Sequence, residues 1–228
     1  MSYYFDNACT SFPKPKEVGE YMQKHLNEGG SYGRGGYPRI FNSSRVVEEA
    51  RSEIAKLIGT KHSENVIFTA CSTIAINTIL SGFSFRFGKV LISPLEHNAV
   101  VRPLENLKNS GRIVYDLLPH YDDGLINIES LRKIDLSEID LIVVNHTSNV
   151  NGVIQPVKEI KEIIGTTPIL LDASQSLGKI DVNVDEWNVD YLAFTGHKGL
   201  LGPTGTGGFY IKDPFSLNIT IFGGTGSN

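Results

Sequence analysis

Apolar and polar positions follow two different periods along the chain, and these periods alternate from about residue 66 onward. Short continuous apolar runs predict seven strands, at 66–69, 90–93, 113–118, 141–145, 169–172, 191–194 and 209–211. Helical spacing of apolar residues predicts helices between most of them, at about 73–82, 98–109, 127–134 and 156–164. Such alternation is typical of a sheet buried on both faces. We therefore predict an α/β fold of three layers, with a mostly parallel seven-stranded sheet and helices on both faces.

The first forty residues are irregular and rich in turn formers, with one polar helix predicted at about 15–26. A long helix is predicted to begin near Asn42, Ser43 and Ser44, because these residues are good helix caps. Gly59 is predicted to end that helix. We therefore divide the chain into an N-terminal segment, 1–40, and one large domain, 41–228.

The composition excludes several classes of protein. The net charge of −4 gives no sign of a surface for nucleic acid or anionic membrane. No apolar run approaches the ~20 residues of a membrane span, and the N-terminus has no signal-peptide pattern. Two cysteines, Cys9 and Cys71, make neither a disulfide framework nor a zinc site. We expect a cytoplasmic protein with reduced thiols.

A glycine-rich stretch, 195–208, directly follows a predicted strand. It carries a lone lysine, Lys198. Gly202 and Gly207 match the glycine spacing of a phosphate-binding loop, but the lysine and hydroxyl residue that this motif requires next are absent, which argues against an NTPase. Two interpretations of Lys198 remain. It is either a solvated loop lysine or, since burial lowers the pKa of a lysine, a Schiff-base lysine for pyridoxal 5'-phosphate (PLP).

Other polar side chains also follow predicted strands, where ligands of parallel sheets bind. Ser72 and Thr73 begin a helix, either as caps or as a phosphate cradle. His97 is either a structural histidine or one that stacks on an aromatic ring and transfers protons. Asp172 closes an apolar strand and needs a partner, which can be a metal ion or a protonated pyridine nitrogen. Together with Gln175 and Lys198, these polar residues form a set that suits PLP.

Five motifs in this order resemble the class V aminotransferases, and most closely their cysteine desulfurase-like branch. They are Asp6-Asn7-Ala8 with 12–15, Glu96-His97-Asn98, Ser148-Asn149-Val150, Asp172-Ala173-Ser174-Gln175 and Thr195-Gly196-His197-Lys198.

The resemblance implies roles for single residues. Lys198 is expected to form the Schiff base with PLP, and Asp172 to pair with the pyridine nitrogen. His97 is expected to stack on the ring and shuttle protons, and Gln175 to contact the ring hydroxyl. The remaining expectations are phosphate binding by Ser72, Thr73, Thr195 and His197, and contact with the substrate by Asn149 and Arg34.

The resemblance also implies an activity and partners. The expected enzyme is PLP-dependent and acts on a cysteine-like amino acid, giving alanine and a persulfide, as a homodimer with shared active sites and with a sulfur acceptor protein. An aminotransferase, a selenocysteine lyase or a non-catalytic PLP-binding domain stays an alternative. Relatives continue into a small domain after the motif 223–227, so we expect 41–228 to be the PLP-binding large domain, with the small domain absent.

Overall fold

A sheet of seven strands forms the centre of the molecule, whose computed structural model describes residues 3–33 and 35–223. The strands are β1 Val66–Thr69, β2 Lys89–Ile92, β3 Val114–Leu117, β4 Leu141–Asn145, β5 Ile169–Asp172, β6 Tyr191–Thr195 and β7 Gly207–Ile211. The helices are α1 Lys16–Glu28, α2 Pro38–Leu57, α3 Ser72–Gly82, α4 Asn98–Asn109, α5 Ile128–Leu131 and α6 Val157–Ile164, with a 3₁₀ turn at Ser63–Asn65.

The strands lie in the order β1-β7-β6-β5-β4-β2-β3. β7 runs antiparallel to both of its neighbours, and the pairs from β6 to β3 are parallel. Asp172 pairs with Asn145 on one side and with Ala193 on the other. The carboxyl ends of β4, β5 and β6 therefore meet at one edge of the sheet, where parallel sheets bind ligands.

Both faces of the sheet are covered, as the apolar pattern predicts. Ile142 and Val144 of β4 point into one apolar core, which α2, α5 and α6 help to form. Leu141 and Val143 point into a second core, formed with α3 and α4. Because alternate residues of a strand face opposite sides, one fully apolar strand serves two cores. The predicted three-layer fold is confirmed.

The start of α2 differs from the prediction. The helix begins at Pro38, after Tyr37 in an extended conformation, and not near Asn42. Proline suits the first helical position because its missing N–H would have no partner there. The hydroxyls of Ser43 and Ser44 accept instead from the backbone N–H groups of Gly30 and Gly33, at 2.8 and 3.1 Å. The serines therefore bind the preceding loop and do not cap the helix.

The end of α2 agrees with the prediction, since Gly59 has a positive φ of 74° directly after the last turn. None of the helices in the two described ranges is both long and apolar enough to cross a lipid bilayer. Cys9 and Cys71 are free thiols.

Candidate active site

Asp172 and Lys198 lie within electrostatic range of each other, at the carboxyl end of β5 and in the turn after β6. Asp172 is 3% exposed, and its Oδ1 accepts the backbone N–H of Ser174 at 2.9 Å. Burial lowers the pKa of the Lys198 amine. The charge of Asp172 raises the same pKa by a smaller amount. A lysine with a lowered pKa beside a buried carboxylate is a usable nucleophile, and this favours the chemical interpretation over that of a solvated loop.

Close backbone packing holds the Lys198 turn in place. The N–H of Gly196 donates to the carbonyl of Thr206 at 2.8 Å, and that of Gly202 to the carbonyl of Gly196 at 2.7 Å. A side chain on Gly199 would place its Cβ 2.2 Å from the carbonyl oxygen of Leu177. The loop after β5 therefore lies directly against the turn after β6, and glycine allows that approach.

The N-terminal segment also contacts this turn. The carbonyl of His197 accepts from the N–H of Ser11 at 3.0 Å, the hydroxyl of Thr10 at 3.0 Å and the amine of Lys14 at 2.7 Å. The side-chain amide of Gln175 donates to the carbonyl of Ala8 at 2.8 Å. Residues 8–14 are thus bound to the two loops that carry Asp172 and Lys198. No local sequence pattern indicates these contacts.

Cys9 belongs to the same segment and interacts electrostatically with Lys198. A hydrogen bond to Asp6 raises the pKa of the Cys9 thiol. The thiol form is therefore favoured, although the charge of Lys198 acts in the opposite direction.

The first turn of α3 is open for an anion. Its cap residue is Cys71, in an extended conformation, and no side chain in the described part of the chain caps the helix. Ser72 is half-buried and Thr73 is exposed. The interpretation of these two residues as caps is therefore wrong. Phosphate binding, which free N–H groups at a helix start would favour, stays a prediction.

His97 has a structural contact that the sequence analysis did not specify. It is the cap of α4, and its Nδ1 accepts the N–H of Ala99 at 3.1 Å. In the neutral ring the proton is then on Nε2. The ring is exposed, and its stacking on a cofactor stays a prediction.

The remaining predicted residues differ in their surroundings. Thr195 is buried, and its hydroxyl lies 3.4 Å from the carbonyl of Thr206. Nδ1 of His197 is buried without a hydrogen-bond partner among the described residues, and burial lowers the pKa of that ring. Asn149 is exposed in the loop after β4. Arg34 lies outside the described residues.

Two ionisable groups at this edge were not predicted as site residues. Glu96 precedes His97, and one of its carboxyl oxygens is buried without a partner among the described residues. His146 follows β4, is 3% exposed and contacts the ring of Trp187 edge-on, with 5.6 Å between centroids. Burial lowers the pKa of His146 to about 4, so it is neutral at pH 7. An ionisable residue directly after a buried strand is the signal that could have identified His146, and an ionisable residue in the loop after β2 the signal for Glu96.

A metal site at Asp172 is not supported. Within residues 3–33 and 35–223, no three His, Cys, Asp or Glu side chains come together as a metal site requires. The charged group that interacts with Asp172 in the described residues around Lys198 is the amine of Lys198 itself.

Comparison with known proteins places the chain in a family. The model of the family described as aminotransferase class-V matches residues 3–227. The chain belongs to the class V aminotransferases. It is 36% identical over 99% of its length to cysteine desulfurase IscS of Dictyoglomus turgidum, and 34% identical over 92% to a probable cysteine desulfurase of Methanothermobacter thermautotrophicus.

Solved structures of this family have the same fold. The apo structure of a cysteine desulfurase from Thermococcus onnurineus NA1 matches 97% of the chain with a TM-score of 0.89 and 32% identity. A structure of SspA in complex with cysteine matches 98% with a TM-score of 0.89 and 27% identity. The chain spans 58% of the Dictyoglomus protein and 56% of the Thermococcus chain, so it corresponds to little more than half of each.

Proposed function

We propose that this class V aminotransferase chain binds PLP covalently through Lys198. The observation that carries the proposal is the half-buried amine of Lys198, with its lowered pKa, next to the carboxylate of Asp172. When bound, PLP would withdraw electrons from the α-carbon of an amino acid. That chemistry needs a lysine for attachment and an acid at the ring nitrogen. Asp172 ends β5, Lys198 follows the neighbouring strand β6, and the two interact electrostatically.

Other residues of the site suit the remaining parts of PLP. The uncapped first turn of α3, with Ser72 and Thr73, suits the phosphate. The buried Nδ1 of His197 lacks a partner among the described residues, and a phosphate oxygen would supply one. The side-chain amide of Gln175 uses one of its two hydrogens on Ala8, which leaves the second for the ring hydroxyl.

For the whole protein we propose cysteine desulfurase activity, with cysteine as substrate and a sulfur acceptor protein as partner. The names of the relatives support this choice over transamination and selenocysteine cleavage. Within it, residues 41–228 would be the PLP-binding domain, and Asn149 and Arg34 would contact the substrate. A homodimer with shared sites stays part of the proposal. Measuring alanine and sulfane sulfur against keto acid, with cysteine as substrate, distinguishes desulfuration from transamination.

The attachment of PLP can be tested directly. The chain is incubated with PLP and reduced with borohydride, and the pyridoxyl group is located by peptide mass mapping. We expect the label on Lys198 and a visible absorbance band before reduction. Lys198→Ala should lose both. Lys179→Ala is the matched control, because Lys179 is the other lysine whose charge acts on Lys198, and it should keep both. A label on Lys179 or Lys14 in the unaltered chain would refute the assignment.

A further inference from the structure

The carboxyl group of Glu96 lies buried beside Asp172. Its Oε1 accepts the hydroxyl of Ser93 at 2.7 Å. Its Oε2 is completely buried and has no hydrogen-bond partner among the described residues. Asp172 is the charged residue whose field acts on this carboxyl group. Glu96 is therefore an acid with one buried, unpartnered oxygen, and the negative charge of Asp172 acts on it.

Hydrogen bonds connect the loop of Glu96 to the end of β4. The hydroxyl of Ser93 also accepts the N–H of Asn145 at 3.1 Å. The side-chain amide of Asn145 donates to the carbonyl of Leu95 at 2.7 Å. Asn145 is the residue that pairs with Asp172 across β4 and β5. The loop that holds Glu96 is thus hydrogen-bonded to Asn145, the residue that lies opposite Asp172 in the sheet.

Burial, with a smaller contribution from the charge of Asp172, raises the pKa of Glu96 to about 8. The hydroxyl of Ser93 opposes this rise. At pH 7 Glu96 then carries a proton, and since Oε1 accepts from Ser93, the proton belongs on Oε2. The titratable groups on the elements around this loop are Asp172 after β5, Lys198 after β6, His146 after β4, His97 in the loop itself and Asp123 in the turn against Leu95.

We infer that Glu96 is a positioning residue that acts through Asp172. Its uncharged carboxyl group fills the space beside Asp172 without adding a second negative charge, so that Asp172 alone sets the charge at the end of β5. Ionisation of Glu96 adds a second negative charge near Asp172. The added charge raises the pKa of any basic group that faces Asp172. Glu96 thereby couples the site to alkaline pH. This inference rests on the proposed function only in its consequence for bound PLP.

The first test needs no cofactor. The chain is labelled with ¹³C at the glutamate side-chain carboxyl, and the Glu96 resonance, assigned by its loss in Glu96→Gln, is followed with pH. We expect its midpoint near 8 in the unaltered chain. Asp172→Asn should move it down, because the like charge is gone, and Ser93→Ala should move it up, because a hydrogen bond to the charged form is gone. A midpoint near 4.5, or one that Asp172→Asn leaves in place, overturns the inference.

The second test uses PLP-loaded chain. The visible band is titrated in the unaltered chain, in Glu96→Gln and in Glu159→Gln, where Glu159 is an exposed residue on α6. We expect an inflection near pH 8 that Glu96→Gln removes and Glu159→Gln keeps. The same inflection in Glu96→Gln overturns the inference. If the unaltered chain shows no band at all, the proposed function fails, while the carboxyl titration still decides whether Glu96 responds to Asp172.

Discussion

Replacement of Gly178 by alanine tests whether the loop after β5 holds the Lys198 turn in position. Gly178 has a φ of 84°, and an added Cβ would lie 2.7 Å from the carbonyl carbon and oxygen of Gly199. Gly205 provides a matched control, because it also has a φ of 84° but nothing lies within 4 Å of its added Cβ. The two variants share the backbone strain, and only Gly178→Ala adds a collision.

The expected losses of stability follow from the backbone strain and from the collision. An alanine in the left-handed conformation costs about 1–2 kcal/mol, and Gly205→Ala should lose about that much stability. Contact at 2.7 Å with backbone atoms forces a backbone shift, for which overpacking data suggest about 1–3 kcal/mol more. Gly178→Ala should therefore lose about 2–5 kcal/mol. Because Gly199 directly follows Lys198, the shift also displaces the lysine, and PLP affinity should fall at least about tenfold, which corresponds to 1.4 kcal/mol.

Both effects can be measured on the same samples. Urea unfolding followed by circular dichroism gives the stability difference, and titration with PLP followed by absorbance gives the affinity. Equal losses of stability in Gly178→Ala and Gly205→Ala would show that the collision is relieved at no cost. Unchanged PLP affinity in a Gly178→Ala chain with the expected loss of stability would show that Lys198 does not depend on this contact.

Two further predictions concern charged groups. Lys161 is buried and forms an ion pair with Asp190 at 2.8 Å, so Lys161→Met should destabilise the chain by about 3 kcal/mol. Lys158 belongs to an exposed ion pair, so Lys158→Met should cost at most about 1 kcal/mol. Urea unfolding measures both changes in stability. For Glu96 the folded-state pKa of about 8 exceeds the ordinary 4.5, so the folded chain binds this proton more tightly and stability falls as pH rises from about 4.5 to 8. The stability difference between Glu96→Gln and the unaltered chain should grow in favour of glutamine by about 5 kcal/mol over that range, and a constant difference would contradict it.

The sheet and its helices were predictable because their signals are local. Each strand of the interior is a continuous apolar run, and each helix repeats its apolar residues at helical spacing. The predicted strands at 66–69, 141–145 and 169–172 have the bounds of β1, β4 and β5, and the predicted helix at 98–109 has those of α4. The antiparallel direction of β7 was not predicted, because the order and direction of strands depend on long-range pairing.

Helix boundaries were less predictable where several residues competed for the same role. Asn42, Ser43 and Ser44 all favour a helix start, yet α2 begins at Pro38. Tertiary contacts explain the difference, because the hydroxyls of Ser43 and Ser44 accept hydrogen bonds from the preceding loop, at Gly30 and Gly33. Similarly, Cys71 and not a hydroxyl residue occupies the cap position of α3.

The amino-acid sequence alone determined which residues end the strands, and therefore which could reach a ligand at the carboxyl edge. Asp172 and Lys198 were identified this way, because a charged group after an apolar strand is costly unless it has a use. Only the tertiary structure decided what surrounds them. The binding of residues 8–14 to the carbonyl of His197 and the burial of Glu96 beside Asp172 join residues from distant parts of the chain. Such contacts arise from packing between separate elements, and no local pattern of residues records them.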